Sequence, residues 1–145
     1  MINNDEYFMR LALQEAQLAC DTGEVPVGAV IVANNKIISK AHNEVERLKD
    51  PLAHAEILAI TAALDYFDTK YLESCSIYVS LEPCPLCASA MQLSRIGKLI
   101  YSASDPKNGY SKYTPSLLHP KTIVKSGIME EKSIECLKKF FENKR

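Results

Sequence analysis

The segments His54-Ala55-Glu56 and Pro83-Cys84-Pro85-Leu86-Cys87 decide how this chain folds and what it can do. Each follows a turn signal, Asp50-Pro51 for the first and Glu82-Pro83 for the second, and each opens a segment with apolar residues at helical spacing. Both segments are therefore predicted to lie at helix N-termini. The helix dipole and the free backbone N–H groups at such an end favour thiolates, and Cys-x-x-Cys in a first helical turn lets both sulfurs face one ion.

These residue types form the ligand set of a catalytic metal site. His54, Cys84 and Cys87 supply three ligands, which leaves the fourth tetrahedral position open for water, whereas a structural zinc site closes all four. Glu56 is predicted to lie beside the metal without binding it, where its carboxylate can accept a proton from that water and pass it to a substrate. We predict one zinc ion per subunit, with iron as the alternative metal for a Cys2His site.

Other interpretations of the cysteine pair are a redox pair or half of a structural zinc knuckle. A four-ligand structural site needs one more cysteine or histidine, and none of those that remain stands at ligand spacing from another: Cys20, Cys75, Cys136, His42 and His119. The three cysteines fit apolar helix or strand positions, so we predict that they serve as small buried hydrophobic side chains. An odd number of cysteines, five in all, does not suggest a disulfide framework.

Length and composition predict a single domain over residues 1–145. The chain has 145 residues with 47% hydrophobic side chains, enough for one core, and no linker, repeat or low-complexity run interrupts it. The N-terminal region carries acids at Asp5 and Glu6 within a helical pattern, where a signal peptide would show a basic and then an apolar stretch. We therefore expect a cytoplasmic protein without a membrane span.

The net charge of −1 is the sum of an acidic N-terminal part and a basic C-terminal part of the chain. Residues 1–97 contain 7 Lys and Arg against 13 Asp and Glu, a net charge of −6, and residues 98–145 contain 10 against 5, a net charge of +5. No acid occurs between Pro106 and Met129, where lysines alternate with aromatic residues: Lys107, Tyr110, Lys112, Tyr113, His119, Lys121 and Lys125. Such a stretch suits the phosphates and unstacked bases of a single-stranded nucleic acid. The alternative interpretation is an ordinary solvated loop.

The order of the predicted elements indicates an α/β fold. Helices are predicted over 5–21, 54–64, 84–95 and from 130 onward, and strands over 25–33, 36–41, 76–81, 98–102 and 122–125. Asn34-Asn35 suits a tight hairpin between the first two strands, whereas the strand and helix alternation that follows implies right-handed crossovers and parallel pairing. The prediction is a three-layer α/β/α sandwich around a mixed five-stranded sheet, with the metal beyond the carboxyl ends of the strands.

Several segments together carry a resemblance to a known family. They are Glu24-Val25-Pro26-Val27-Gly28-Ala29-Val30, Asn43, Ala53-His54-Ala55-Glu56, Leu81-Glu82-Pro83-Cys84, Ser94-Arg95-Ile96-Gly97, Asp105, Lys107, Gly109 and Phe140-Phe141. The His-x-Glu and Pro-Cys-x-x-Cys patterns are the signature of zinc nucleobase deaminases. From about Tyr7 to Arg145 the chain resembles the bacterial tRNA adenosine deaminases of the cytidine and deoxycytidylate deaminase superfamily. The resemblance implies a cytidine-deaminase-like fold.

The resemblance also implies roles for individual residues. The expected reaction is hydrolytic deamination of adenosine to inosine at the wobble position of a tRNA anticodon, with an arginine tRNA as the expected substrate. His54, Cys84 and Cys87 would hold zinc, and Glu56 would move protons. The resemblance implies that a homodimer binds the anticodon stem-loop. Around the purine it implies contacts from Val27, Asn43 and the Ala55 N–H. Asp105 and Lys107 would lie beside the anticodon loop, and Phe141 and Arg145 would cover the flanking nucleotides.

One segment departs from the family pattern. Where the family usually has small residues after Gly109, this chain has Tyr110-Ser111-Lys112-Tyr113-Thr114-Pro115, which could stack on bases or narrow the groove. Two other functions share the motifs. A deaminase of a free base or nucleoside such as guanine or cytosine would use the same zinc chemistry without the lysines, and a non-catalytic RNA-binding subunit would have no chemical use for Glu56.

Overall fold

The computed structural model describes residues 4–143. The helices are α1 (Asn4–Asp21), α2 (Val45–Leu48), α3 (Ala55–Phe67), α4 (Pro85–Ser94) and α5 (Glu130–Asn143). The strands are β1 (Gly28–Ala33), β2 (Lys36–His42), β3 (Ser76–Leu81), β4 (Lys98–Ala103) and β5 (Ile123–Ser126). A 3₁₀ helix covers Tyr110–Lys112.

The five strands form one mixed sheet in the order β2-β1-β3-β4-β5. Strand β1 pairs antiparallel with both β2 and β3, and the pairs β3–β4 and β4–β5 are parallel. The hairpin between β1 and β2 turns at Asn34 and Asn35, whose φ angles of 51° and 61° lie in the left-handed region that asparagine tolerates better than most residues. The predicted mixed sheet is confirmed.

Successive side chains of a strand point to opposite faces of the sheet, so buried residues lie on both faces and form two parts of the core. One set of strand residues, which includes Val30 and Ile100, packs with Phe8 and Met9 of α1. The opposite set, which includes Ile31 and Leu99, packs with residues of α3 and α4. Helices α1 and α5 therefore cover one face and α3 and α4 the other, which confirms the predicted three-layer sandwich.

The first strand begins later than its sequence suggests. Val25 was included in the predicted strand, but β1 begins at Gly28, because Pro26 has no N–H to donate to a neighbouring strand. Helix α1 crosses Gly28 so closely that a Cβ there would lie 2.0 Å from Ala12 O and 2.6 Å from Ala16 N. No sequence pattern predicts α2 or the 3₁₀ helix.

Among residues 4–143 no helix combines the length and the apolar character needed to cross a membrane.

A polar contact ties the start of α1 to the sheet. Tyr78 donates its hydroxyl to Asp5 Oδ1 at 2.6 Å, and Lys125 Nζ lies 3.1 Å from Asp5 Oδ2. Burial acts to raise the pKa of Asp5, but the hydrogen bonds from Tyr78 and Lys125 outweigh it and lower that pKa below its ordinary value. The ionised carboxylate is therefore the form that stabilises the fold.

This contact predicts a pH-dependent stability for the variant Asp5→Asn. A carboxyl with a lowered pKa in the folded protein contributes stability above its unfolded pKa of about 3.9, and the contribution disappears as the pH falls through the folded value. We expect Asp5→Asn to lose about 1 kcal/mol of unfolding free energy at pH 7 and to approach the wild type near pH 3. Urea unfolding at both pH values measures this difference. Glu6→Gln, an exposed acid in the same helical turn, is the control; equal stability of Asp5→Asn and wild type at pH 7 would contradict the prediction.

Candidate metal centre and substrate pocket

The metal cluster forms where two helices begin at the carboxyl edge of the sheet. His54 is the N-cap residue of α3, Cys84 is the N-cap residue of α4, and Cys87 lies in the first turn of α4. His54 Nδ1 lies 3.6 Å from Cys84 Sγ and 3.5 Å from Cys87 Sγ. The predicted helix N-termini are confirmed, and the structure brings the three predicted ligands together.

The geometry of the three side chains fits a tetrahedral zinc ion. With bonds of about 2.1 Å to nitrogen and about 2.3 Å to sulfur, two tetrahedral ligand atoms lie roughly 3.6 Å apart. The three ligand atoms all lie within 4.8 Å of one another. Within the described residues 4–143, no fourth His, Cys, Asp or Glu belongs to this cluster. The remaining cysteines are free thiols, buried at Cys75 and half-buried at Cys20 and Cys136.

The two sulfurs share protons unequally. Hydrogen bonds from Cys87 and His54 outweigh burial and lower the pKa of Cys84 to about 4. The hydrogen bond to Cys84, together with burial, raises the pKa of Cys87. Because a metal binds thiolates, occupation of this cluster releases the Cys87 proton and makes metal affinity depend on pH.

Glu56 lies beside the cluster without belonging to it. It is the second residue of α3, its side chain is 4% exposed, and it lines the same cavity as His54 and Cys84. Burial raises the pKa of Glu56 to about 7. A carboxyl with a pKa near neutrality can both accept and release a proton, as a general acid–base group must.

Asn43 connects the first turn of α3 to the wall of the cavity. Its Oδ1 accepts the Ala55 N–H at 2.8 Å, and its Nδ2 donates to Val25 O at 3.1 Å. Since a backbone N–H can only donate and a carbonyl can only accept, these two partners fix the orientation of the amide. The Ala55 N–H, which the resemblance implies as a purine contact, donates to Asn43 in this structure, and Nδ2 carries a second hydrogen that can reach a substrate.

A cavity of about 510 Å³ adjoins the cluster. Its walls combine apolar side chains with a few polar groups, as is typical of small-molecule sites. The lining residues are Gly23, Glu24, Val25, Val27, Asn43, Val45, Glu46, His54, Glu56, Leu81, Glu82, Cys84, Asp105, Phe140 and Phe141. The cavity thus gathers most of the predicted site residues. Lys107 is exposed outside this lining, and Arg145 lies outside the described residues.

Glu24 was missed as part of the site. Its side chain is 2% exposed, and its two oxygens accept the N–H groups of Glu46 at 3.0 Å and Arg47 at 2.9 Å, at the start of α2. Glu24 thereby attaches α2 to the cavity wall. No spacing rule detects it, because its partners are backbone groups more than twenty residues away.

Tyr110 corrects one expectation for the departing segment. Its side chain is only 7% exposed, its ring meets the edge of the Tyr101 ring at 6.3 Å, and its N–H donates to Pro83 O at 2.9 Å. Tyr110 is therefore part of the core and cannot stack on RNA bases. Tyr113, 49% exposed, is available for that role.

The lysines of the acid-free stretch, which are Lys107, Lys112, Lys121 and Lys125, do not all lie at the same end of the sheet. Ile123 N donates to Gly97 O, which lies just before the amino end of β4. Lys121 precedes Ile123 by two residues and therefore lies near the amino end of the strand, opposite the end where the cavity lies. Lys125 pairs with Asp5. A six-residue strand such as β4 spans about 20 Å, which separates Lys121 from the cavity. The lysines at the cavity end are Lys107 and Lys112, and Lys112 Nζ donates to Lys107 O at 2.8 Å.

Comparison with known proteins agrees with this geometry. Residues 2–103 match the family described as the cytidine and deoxycytidylate deaminase zinc-binding region. The chain belongs to that family. A relative from Aquifex aeolicus named tRNA-specific adenosine deaminase is 50% identical over 97% of this chain and 95% of its own length. The family predicted from the sequence is confirmed, and so is zinc as the metal that its domain binds.

Solved structures show the same relationship. A structure from a study of A-to-I editing by tRNA:A34 deaminases at the wobble position superposes with a TM-score of 0.85 and 39% identity, over 90% of this chain and 99% of that chain. Guanine deaminase from Bacillus subtilis superposes less well, with a TM-score of 0.66 and 36% identity over 72% of this chain and 66% of that chain. The cytidine-deaminase-like fold is confirmed.

The Asn43 bridge predicts a stability loss in Asn43→Ala. The substitution leaves the Ala55 N–H and the Val25 carbonyl without their partner in a buried setting, and we expect a loss of about 2 kcal/mol. Urea unfolding measures the effect. The control is Gln92→Ala, which removes an exposed amide on α4. We expect the control to stay within about 0.5 kcal/mol of the wild type. A loss no larger in Asn43→Ala than in the control would show that the bridge does not organise the helix start.

Proposed function

We propose that this protein deaminates adenosine to inosine at the wobble position of a tRNA anticodon, with an arginine tRNA as substrate, as one cytoplasmic catalytic domain. The observation that carries the proposal is the juxtaposition of His54, Cys84 and Cys87 with the buried carboxylate of Glu56 in one cavity. The similarity to a protein named tRNA-specific adenosine deaminase over nearly the whole chain supports the choice of substrate.

Each residue of the proposed centre has a chemical task. His54, Cys84 and Cys87 hold zinc, which when bound makes water reactive at neutral pH. Glu56 takes a proton from the attacking water and returns protons to the purine and to the leaving amine. Water adds at C6 of adenine, the C6–N6 bond breaks and ammonia leaves, so adenosine and water become inosine and ammonia. Burial raises the pKa of Glu56 and favours its protonated form, whereas the positive charge of a bound zinc ion favours the carboxylate.

The walls of the cavity supply substrate contacts. The second hydrogen on Asn43 Nδ2 donates to the purine, and Val27 lies against the ring. Phe141, which is 54% exposed and lines the cavity, covers a neighbouring nucleotide. Asp105 and Lys107 stand on the loop at the cavity mouth and meet the anticodon loop. Arg145, beyond the described residues, is proposed to contact flanking nucleotides.

Deamination of a free base such as guanine or cytosine is the second candidate function. The similarity to a guanine deaminase structure favours it, although that match covers only 66% of the other chain. The two functions differ in what must lie outside the cavity. A free base needs only the cavity, whereas a tRNA loop also needs contacts such as Lys107 and Lys112 at its mouth.

We also propose that the protein acts as a homodimer through α4. Leu86, Ala90 and Leu93 stand at spacings of four and three residues along this helix and therefore share one face. Leu93 is 76% exposed and Leu86 is 40% exposed. A second copy that packs on this stripe would remove both leucines from water.

The deaminase proposal predicts a distinct pattern of substrates. Purified protein should form inosine at the wobble position of an arginine tRNA and release no ammonia from free adenosine, guanine or cytosine. Glu56→Gln should keep its zinc, because Glu56 is not among the three ligands, and should lose activity by at least about 100-fold. Nucleoside analysis of digested tRNA, an ammonia assay and zinc content provide the readouts. Turnover of a free base with an inert tRNA would support the second function instead.

The position of the lysines predicts the salt dependence of RNA binding. The log of the association constant falls with log salt by about 0.7 for each phosphate contact to a single strand. If Lys107 contacts a phosphate, Lys107→Ala should reduce the magnitude of the slope by about 0.7. Lys121→Ala, at the far end of the sheet, should leave the slope unchanged. Binding of an anticodon stem-loop at several salt concentrations measures both; a larger effect from Lys121 would contradict the location of the RNA surface.

The proposed dimer predicts that Leu93→Asp separates the subunits. A charge buried at Leu93, the most exposed leucine of the α4 stripe, would have no opposite charge to pair with across the interface and would strongly disfavour association. Light scattering should give the mass of two chains for the wild type and of one for the variant. Leu18→Asp, a 48% exposed leucine on α1, is the control that should keep the wild-type mass.

A further inference from the structure

Glu82 is a buried carboxylate whose hydrogen bonds go to a loop rather than to the reaction centre. It follows the last residue of β3 and precedes Cys84 by two residues, and its side chain is 4% exposed. The segment that contacts it is residues 105–112, here named the mouth loop. This segment contains Asp105 and Lys107, which the proposed function assigns to RNA contacts.

The mouth loop encloses both oxygens of the Glu82 side chain. Oε1 accepts the Asp105 N–H at 3.0 Å. Oε2 accepts the Ser111 N–H at 3.0 Å and the Ser111 hydroxyl at 2.7 Å. One carboxylate thus joins the first residue of the mouth loop to a residue near its end. Because the donors are neutral, the loop shape and not a pair of charges holds this acid in place.

Gly109 allows this close enclosure. A Cβ at position 109 would lie 2.1 Å from Glu82 Oε2 and 2.6 Å from Asp105 O. The φ of Gly109 is −70°, an ordinary value for any residue, so the close approach and not the backbone conformation requires glycine here. Tyr110 adds a further attachment by donating its N–H to Pro83 O at 2.9 Å.

The same attachment fixes the lysines at the cavity mouth. Asp105 Oδ1 accepts the N–H groups of Lys107 at 3.2 Å and Asn108 at 3.0 Å, which closes a turn inside the mouth loop. Lys112 Nζ donates to Lys107 O. The mouth loop also has hydrogen bonds of its own, such as Gly109 N–H to Asp105 O at 2.8 Å, and both ends of this internally bonded turn are attached to the Glu82 carboxylate.

We propose that Glu82 is a positioning residue for RNA binding, which holds the mouth loop in the shape that presents Lys107 and Lys112 to the anticodon loop. This inference rests on the proposed function, since it concerns the same substrate. An ordered loop binds more tightly than one that must be ordered on binding. Loss of the enclosure should therefore weaken tRNA binding and leave the chemical step and the metal unaffected.

Two variants disturb the enclosure from opposite sides. Glu82→Gln places an amide nitrogen against an N–H donor, whichever way the side chain turns. Gly109→Ala leaves Glu82 intact and pushes the mouth loop away through its added methyl group. Ser111→Ala removes only one of the three hydrogen bonds and should have an intermediate effect. Asn108→Ala, which changes only an exposed side chain in the same loop, is the matched control.

The test measures binding, catalysis and loop order separately. Binding uses an anticodon stem-loop with inosine at the wobble position, so that no reaction occurs, and catalysis uses the adenosine form. For Glu82→Gln and Gly109→Ala we expect Kd and KM to rise about tenfold, with kcat within threefold of the wild type and unchanged zinc content. The Asp105 and Ser111 amides should exchange their hydrogens faster. Asn108→Ala should match the wild type in Kd, KM, kcat, zinc content and amide exchange.

The contrary outcomes separate this inference from the proposed function. Faster amide exchange with an unchanged Kd would show that loop order does not matter to RNA, and would overturn the role of Glu82. Loss of zinc or of kcat at unchanged KM would also overturn it, because Glu82 would then act on the metal centre. A wild-type protein that binds the stem-loop but forms no inosine contradicts the proposed function, while the Kd ratios still decide the inference. A wild-type protein that binds no stem-loop contradicts both.

Discussion

The hydrogen bond from the Ala55 N–H to Asn43 Oδ1 fixes the point where α3 begins, and the reactive groups are set from that point. The first N–H groups of a helix have no partner inside it, and a side chain at the N-cap position usually supplies one. His54 occupies that position but makes no such hydrogen bond, because its ring turns toward the sulfurs. Asn43 caps the helix in its place. The N-cap side chain is thereby released to bind a metal.

Helix α4 meets the same constraint in another way. Cys84 is its N-cap residue and also makes no capping hydrogen bond. Pro85 follows, and since proline has no N–H, one donor that would need a partner is absent. Both helices therefore present metal ligands from positions that normally stabilise the helix. Three buried acids lie around the cavity. Glu24 accepts backbone N–H groups of α2, and Glu82 accepts backbone N–H groups of the mouth loop. Burial raises the pKa of the third, Glu56.

The sequence predicted those features that local rules determine. Turn residues before apolar periodic segments located both metal-bearing helices, and the Asn34-Asn35 hairpin with the later strand–helix alternation predicted the mixed sheet. The hydrogen-bond partners of Glu24 and Glu82 could not be predicted, because most of them are backbone groups 22 to 29 residues away. The positions of the individual lysines could not be predicted, because an acid-free stretch of sequence does not tell at which end of the sheet each lysine lies. Tyr110 was misassigned because an aromatic residue in a basic segment can equally anchor the segment to the core.

We expect three protein ligands to hold the metal and to leave one position open. X-ray absorption at the zinc edge, on the purified protein, tests it most directly. We predict two sulfur ligands at about 2.3 Å and two lighter ligands at about 2.0–2.1 Å, one of them the His54 nitrogen. Replacing Cys20 or Cys136 should leave that spectrum unchanged, and replacing Cys84 should remove a sulfur or the metal. A third sulfur ligand, or a metal whose coordination is unchanged after the loss of Cys84, would contradict a site of two cysteines, one histidine and one open position.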